Sequence, residues 1–139
     1  MTTTAARTSV PSQSQAAGWA VAVVQYGFAV LWVLCGYFAL AHAADLTGHW
    51  VSPTSDAFIA ATEADGGWGW ALPVGGVLSL GPMLAGLGLL ISALFFLIGQ
   101  TRGNRRQTIA LLGAAAASLL TLVVSLTPAA QALSSWLLD

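Results

Sequence analysis

The chain has 139 residues, 57% of them hydrophobic and only 6% charged, with a net charge of −1 and a mean hydropathy of +0.79. A soluble domain carries about 25% charged residues, so a surface this poor in charge excludes a water-soluble globule and makes lipid the medium. The balance leaves no basic face for nucleic acid, the length allows one compact unit, and the single Cys35 excludes an internal disulfide framework.

Residues 1–18 are rich in Ser, Thr, Ala and Gln and lack apolar periodicity, which predicts a disordered tail. Residues 19–43 follow without a charge, 25 residues in all. At 1.5 Å per residue that run reaches roughly 37 Å, enough to cross a hydrocarbon core of about 30 Å with some tilt. Ala41-His42-Ala43 matches a signal-peptidase tripeptide. The apolar run exceeds an ordinary signal core and only Arg7 precedes it, so the segment is expected to stay as a membrane helix. Cys35 sits inside it as a small core hydrophobe.

Residues 44–67 form an acidic loop holding four of the five carboxylates, Asp45, Asp56, Glu63 and Asp65. Within it, Thr54 or Ser55 is placed to cap a short helix that Gly66 would end. The second apolar run, residues 68–99, is too long for one perpendicular crossing and too short for two. Pro82 inside it predicts one long helix, kinked or strongly tilted, and Pro73 falls in its first turn. Residues 100–107 are an Arg-rich loop with three of the four cations, Arg102, Arg105 and Arg106. Residues 108–127 make the third span. The end of the chain, 128–139, puts Leu133, Trp136 and Leu137 on one helical face, too short to span and suited to the interface.

The expected fold is therefore all-α: three transmembrane helices, the second long and kinked at Pro82, plus a short C-terminal interfacial helix. Three spans put Arg7 and the arginine cluster on one side and every carboxylate on the other. Arg-rich short loops stay cytoplasmic. This predicts a multi-pass protein of the cell's inner (plasma) membrane, with its N-terminus in the cytoplasm and Arg102, Arg105 and Arg106 as topology anchor. Abundant alanine without a single lysine suggests a GC-rich bacterial genome.

Chemistry at depth normally needs ionisable groups there, and none of the acidic or arginine side chains falls inside a span. No catalytic residues, cofactor or haem ligation are expected. His42, Asp45 and His49, at i, i+3 and i+7, would suit zinc or iron on a continued helix. The Asp-Leu-Thr-Gly turn signal ends that helix first, so they are weak candidates and no metal is expected. Small residues carry more information. Gly75, Ser79, Pro82, Gly86 and Ala93 recur at helical spacing on the second span, with Gly81/Ala85 and Gly88/Ser92 as further small pairs. Gly113 and Ala117 form another pair on the third. Such positions let helix backbones approach closely in lipid.

The expected function is a non-catalytic accessory, assembly or stabilising subunit of a larger membrane complex, respiratory or envelope-biosynthetic. Its partners would be the lipid bilayer and other integral-membrane subunits, and Gly75, Ser79, Gly86, Gly88, Gly113 and Ala117 its packing positions. The alternatives are a small oligomeric transporter or pore lined by Ser118, Thr121 and Ser125, and an extracytoplasmic metal-binding protein.

Overall fold

The computed structural model describes residues 13–48, 50, 68–99 and 104–138. The predicted tail up to residue 12, residues 51–67 of the acidic loop with its short helix, His49 and Arg102 lie outside the described residues; residues 13–18 of the predicted tail and 44–47 of the predicted loop are helical instead, forming the two ends of the first helix. Those described form four helices and no strand: α1 (Gln13–Thr47), α2 (Trp68–Leu97), α3 (Arg105–Ser125) and α4 (Pro128–Leu138). The first three are long and apolar enough to cross a membrane. At 1.5 Å per residue, the 35 residues of α1 make roughly 52 Å, so it either tilts or projects beyond the hydrocarbon.

Each helix ends where local chemistry dictates. Gly48 takes φ +73°, a left-handed conformation that costs glycine little, and its N–H donates to the Ala44 carbonyl at 2.8 Å. Gly99, also at φ +73°, follows α2 in the same way. Asn104 caps α3: its side chain accepts from the Gln107 N–H at 3.3 Å, and its carbonyl takes the Thr108 N–H at 3.1 Å. Thr127 serves two helices. Its N–H closes α3 on the Val124 carbonyl at 3.0 Å, while its hydroxyl accepts from Ala130 at the start of α4. Pro128 takes the first turn, where no N–H is needed.

Burial repeats in steps of three and four along α2 and α3, and on α1 two of the steps are seven, the sum of a three and a four. The buried positions are 18, 22, 25, 32, 39, 43 and 44 on α1, 71, 75, 78, 81, 85, 88 and 92 on α2, and 107, 111, 114, 118, 121 and 125 on α3. On α2 and α3 the mean step, about 3.5, is the seam period of left-handed helix packing. Most of these residues are Gly, Ala or Ser, so the backbones lie close. Gln25 meets Gly88 and Ser92, and Trp32 meets Leu78 and Gly81, which sets α2 antiparallel to α1. Gly18 beside Gln107 and Tyr26 beside Gly113 set α3 parallel to α1.

Two apolar layers result. Near the α4 end, Trp32, Ala39, Ala43, Ala71 and Leu78 pack with Leu133, Trp136 and Leu137. The last three are the face the sequence predicted for α4, and Leu137 is fully buried. It sits over Gly75, where a Cβ would come within 3.2 Å of the Leu137 Cβ. Near the α3 N-terminus a smaller layer joins Ala22, Leu111 and Ala114 with Phe95 and Phe96. α2 runs continuously through both prolines.

Candidate functional site

Between the two apolar layers lies a polar one. Gln25 is the one amide in the apolar run 19–43, and it is buried. Its Nε2 donates to the Gly88 carbonyl at 2.6 Å and to Ser92 Oγ at 2.9 Å. Ser92 Oγ returns a bond to Oε1 at 3.2 Å. Buried polar groups in hydrocarbon need such partners, and both donors of this amide find one on α2. Glycine at 88 makes the approach possible: a Cβ there would lie 3.1 Å from Gln25 Nε2 and 3.2 Å from Ser118 Oγ. Three helices therefore converge on one backbone position.

A groove of about 390 Å³ opens from this layer between α1 and α2. Its walls include Val24, Leu87 and Ile91, and Gln25, Gly88 and Ser118 line its polar side. Ser118 is only 5% exposed. A second cleft, about 580 Å³, lies near the α4 end between Trp32, Tyr37, Trp50, Val124 and Leu133 and is mostly apolar. A third, about 210 Å³, is bordered by Ser79, Pro82, Ser125, Gln131 and Ser134.

Pro82 borders the third of these cavities. Having no N–H, it leaves the Leu78 carbonyl, four residues earlier, without its helical donor. Trp32 Nε1 donates to that carbonyl at 3.4 Å. The indole reaches it by lying against Gly81, where any Cβ would collide with the ring.

Comparison with family models, with curated proteins and with solved structures finds no match. The site must be read from its own geometry.

The sequence-derived positions fall in different places. Gly88 faces the polar layer and Gly75 faces α4. Gly113 lies under the Tyr26 hydroxyl. Ala117 is half-buried, and its carbonyl accepts from Thr121 Oγ1 at 3.0 Å. Ser79 is exposed at the edge of the 210 Å³ cavity. Gly86 has no atom within 4 Å of the place a Cβ would take, and Gly27 and Gly76 are equally open. Arg105 and Arg106 stand exposed in the first turn of α3.

His42 packs edge-on against Trp70, ring centres 4.5 Å apart, while Asp45 one turn later is exposed. Among the described residues no three His, Cys, Asp or Glu side chains gather into a metal-sized cluster. Ser118, Thr121 and Ser125 are all buried in the seam, and the latter two donate to carbonyls of their own helix. Sequence reasoning passed over Trp32, Tyr26 and Gln107. For Trp32 a signal existed: a mid-span proline implies an orphan carbonyl four residues back and a donor somewhere opposite. The layer as a whole can hold hydrogen bonds and position backbones; it contains no acidic or basic side chain to carry a proton.

Proposed function

We propose that this chain is a non-catalytic accessory, assembly or stabilising subunit of a larger complex in a bacterial plasma membrane, respiratory or envelope-biosynthetic. The observation that carries the reading is a division between inward and outward small residues. Gly75, Gly81, Gly88 and Gly113 are filled by this chain's own side chains, whereas Gly27, Gly76 and Gly86 open outward. A mid-helix glycine costs roughly 0.5–1 kcal/mol relative to alanine. Facing acyl chains it returns nothing; facing a second helix it permits backbone contact. The outward glycines thus fit a surface that meets another helix. A pore lined by Ser118, Thr121 and Ser125 is disfavoured, because all three are buried inside the bundle and Thr121 and Ser125 donate to carbonyls of their own helix.

The N-terminus is placed in the cytoplasm on the strength of the arginines. Cations at a helix N-terminus oppose the macrodipole, so Arg105 and Arg106 do not serve the stability of α3. Orientation of the chain accounts for them.

The test is purification from native membranes in mild detergent, with mass spectrometry of the co-purifying chains. Gly86→Leu should lose the partner while the chain's own level holds, and a change at lipid-facing Leu90 should be mild. A chain that purifies alone and moves a solute when reconstituted alone would replace this reading with the pore.

A further inference from the structure

We propose, independently of the accessory-subunit reading, that the cavity between Pro82 and the α3–α4 break binds a small monovalent cation, with the Ser125 and Ser134 hydroxyl oxygens among its ligands. Two helix interruptions meet there. Pro82 is the fifteenth of the 30 residues of α2, so roughly 21–23 Å of helix separates it from either end. α3 stops at Ser125 and α4 starts at Pro128, and the cavity of about 210 Å³ at this break borders Ser79, Pro82, Ser125, Gln131 and Ser134. From there α4 follows the half of α2 that begins at Trp68: Leu137 sits over Gly75 and packs with Ala43 and Ala71. α3 and α4 together make one broken crossing, interrupted at the depth of Pro82. Interrupted helices that meet at mid-depth around a polar cavity are where membrane proteins coordinate ions.

The hydrogen bonds at the break set the sign of the ligand. Ser125 Oγ donates to the Leu122 carbonyl and Ser134 Oγ to the Gln131 carbonyl, both at 2.9 Å. With its proton spent, each oxygen has only lone pairs left to offer. The Leu78 carbonyl is a further acceptor: freed by Pro82, it takes one long bond from Trp32 at 3.4 Å and keeps a second lone pair. Ser79 and Gln131, both exposed, have oxygens to add. An anion would need the N–H groups at the start of α4, and these are engaged. Pro128 has none, Ala130 donates to Thr127 Oγ1, Gln131 donates to the Thr127 carbonyl, and Ala129 is not free. The C-terminal end of α3, negative by its dipole, faces the same break. A divalent ion calls for carboxylates, and residues 68–99 and 104–138 contain no Asp or Glu. Neutral oxygens suffice for a monovalent ion, as in carbonyl-lined filters. The volume admits the ion with a few of its waters. No passage through the bundle is assigned.

The experiment reconstitutes the full chain in lipid nanodiscs and measures bound radioactive sodium. Saturable binding at a single class of site is expected. Excess unlabelled sodium chloride should compete, and choline chloride at the same ionic strength should not. Ser125→Ala and Ser134→Ala each remove one oxygen whose own bond stays within its helix, and each should weaken binding about tenfold. Ser118→Ala, at a buried serine outside this cavity, should leave it unchanged. Amide hydrogen exchange in residues 126–131 should slow in sodium chloride relative to choline chloride, and the Ser125→Ala/Ser134→Ala double variant should lose that difference. No saturable sodium, equal competition by choline, or unchanged affinity in both serine variants would show the cavity to hold water only and overturn the proposal. Calcium competing far better than sodium would overturn it too, because such a preference requires carboxylate ligands. Should one serine variant fail to fold, the other and the choline arm still decide.

Discussion

Trp32 of α1 supplies the hydrogen-bond donor that Pro82 removes from α2: its Nε1 lies 3.4 Å from the Leu78 carbonyl, the oxygen a non-proline residue at 82 would engage. A proline in mid-span is tolerated where a neighbouring helix satisfies the freed backbone group. Here the repair is specific, because Gly81 alone leaves room for the ring. The long distance marks a modest bond, and net values near 1 kcal/mol are usual.

A double-mutant cycle tests this pairing. Trp32→Phe keeps a ring but loses the N–H, and should destabilise the bundle by about 1 kcal/mol for the bond, beyond the cost of lost packing. In a Pro82→Ala background the helix regains its own donor, so the same change should cost correspondingly less. Unfolding in mixed micelles gives both numbers. Equal costs in the two backgrounds would mean that the indole is there for packing only.

Gln25 should couple to Ser92 in the same manner. Gln25→Leu preserves volume while removing the three hydrogen bonds with α2, at a cost of about 1–2 kcal/mol by analogy with polar contacts between model membrane helices. Ser92→Ala made in the Gln25→Leu background should add little, since the hydroxyl has already lost its partner. Full additivity of the two changes, measured by the same unfolding assay, would show that they do not act as a unit.

The spans were legible in the sequence because charge and length are unambiguous in lipid. The face of α4 was legible as well: in a short segment with polar neighbours, Leu133, Trp136 and Leu137 stand out at helical spacing. The seams of α1, α2 and α3 were harder to read for a physical reason. Lipid is as apolar as the core, so no apolar-versus-polar contrast marks the inner face; size is the only signal. On α2 the stripe containing Gly75, Ser79, Pro82, Gly86 and Ala93 competed with the pairs Gly81/Ala85 and Gly88/Ser92. The structure buries both pairs together with Gly75, and leaves Ser79 and Ala93 exposed. A tie between small residues can be broken only by what stands opposite, and the partners of Gly81 and Gly88 lie some fifty to sixty residues away on α1. Gln25 could be noticed in the sequence; its register against Gly88 could not.

α4 should depend on Gly75. A side chain there would press on Leu137 and Leu138, and Leu137 is fully buried. Gly75→Val should lift α4 from α2 without disturbing the polar layer. Leu137→Ala should do so from the other side, with a core-truncation cost of about 2–5 kcal/mol. Amide hydrogen exchange reports the outcome: protection should fall in residues 130–138 and persist around Gln25. Unchanged protection of α4 in both variants would rule out this docking surface as its anchor.

Orientation is the property most cleanly separated from stability. Arg105 and Arg106 occupy the first turn of α3, where the helix dipole disfavours cations by about 0.3–1 kcal/mol each. Replacing both with Gln should therefore leave α3 as stable or slightly more so. With Arg102→Gln added, the chain keeps only Arg7 as a cationic side chain, and the bias that holds the 100–107 loop inside is largely gone. Reporter fusions after residue 104 should read cytoplasmic in the native sequence and mixed in the triple variant, with fusions near residue 60 reporting the opposite side. Thermal unfolding of the same variant in detergent should show no loss. If orientation is kept and stability drops instead, the arginines serve the fold rather than the topology, and the placement of the N-terminus inside must be withdrawn.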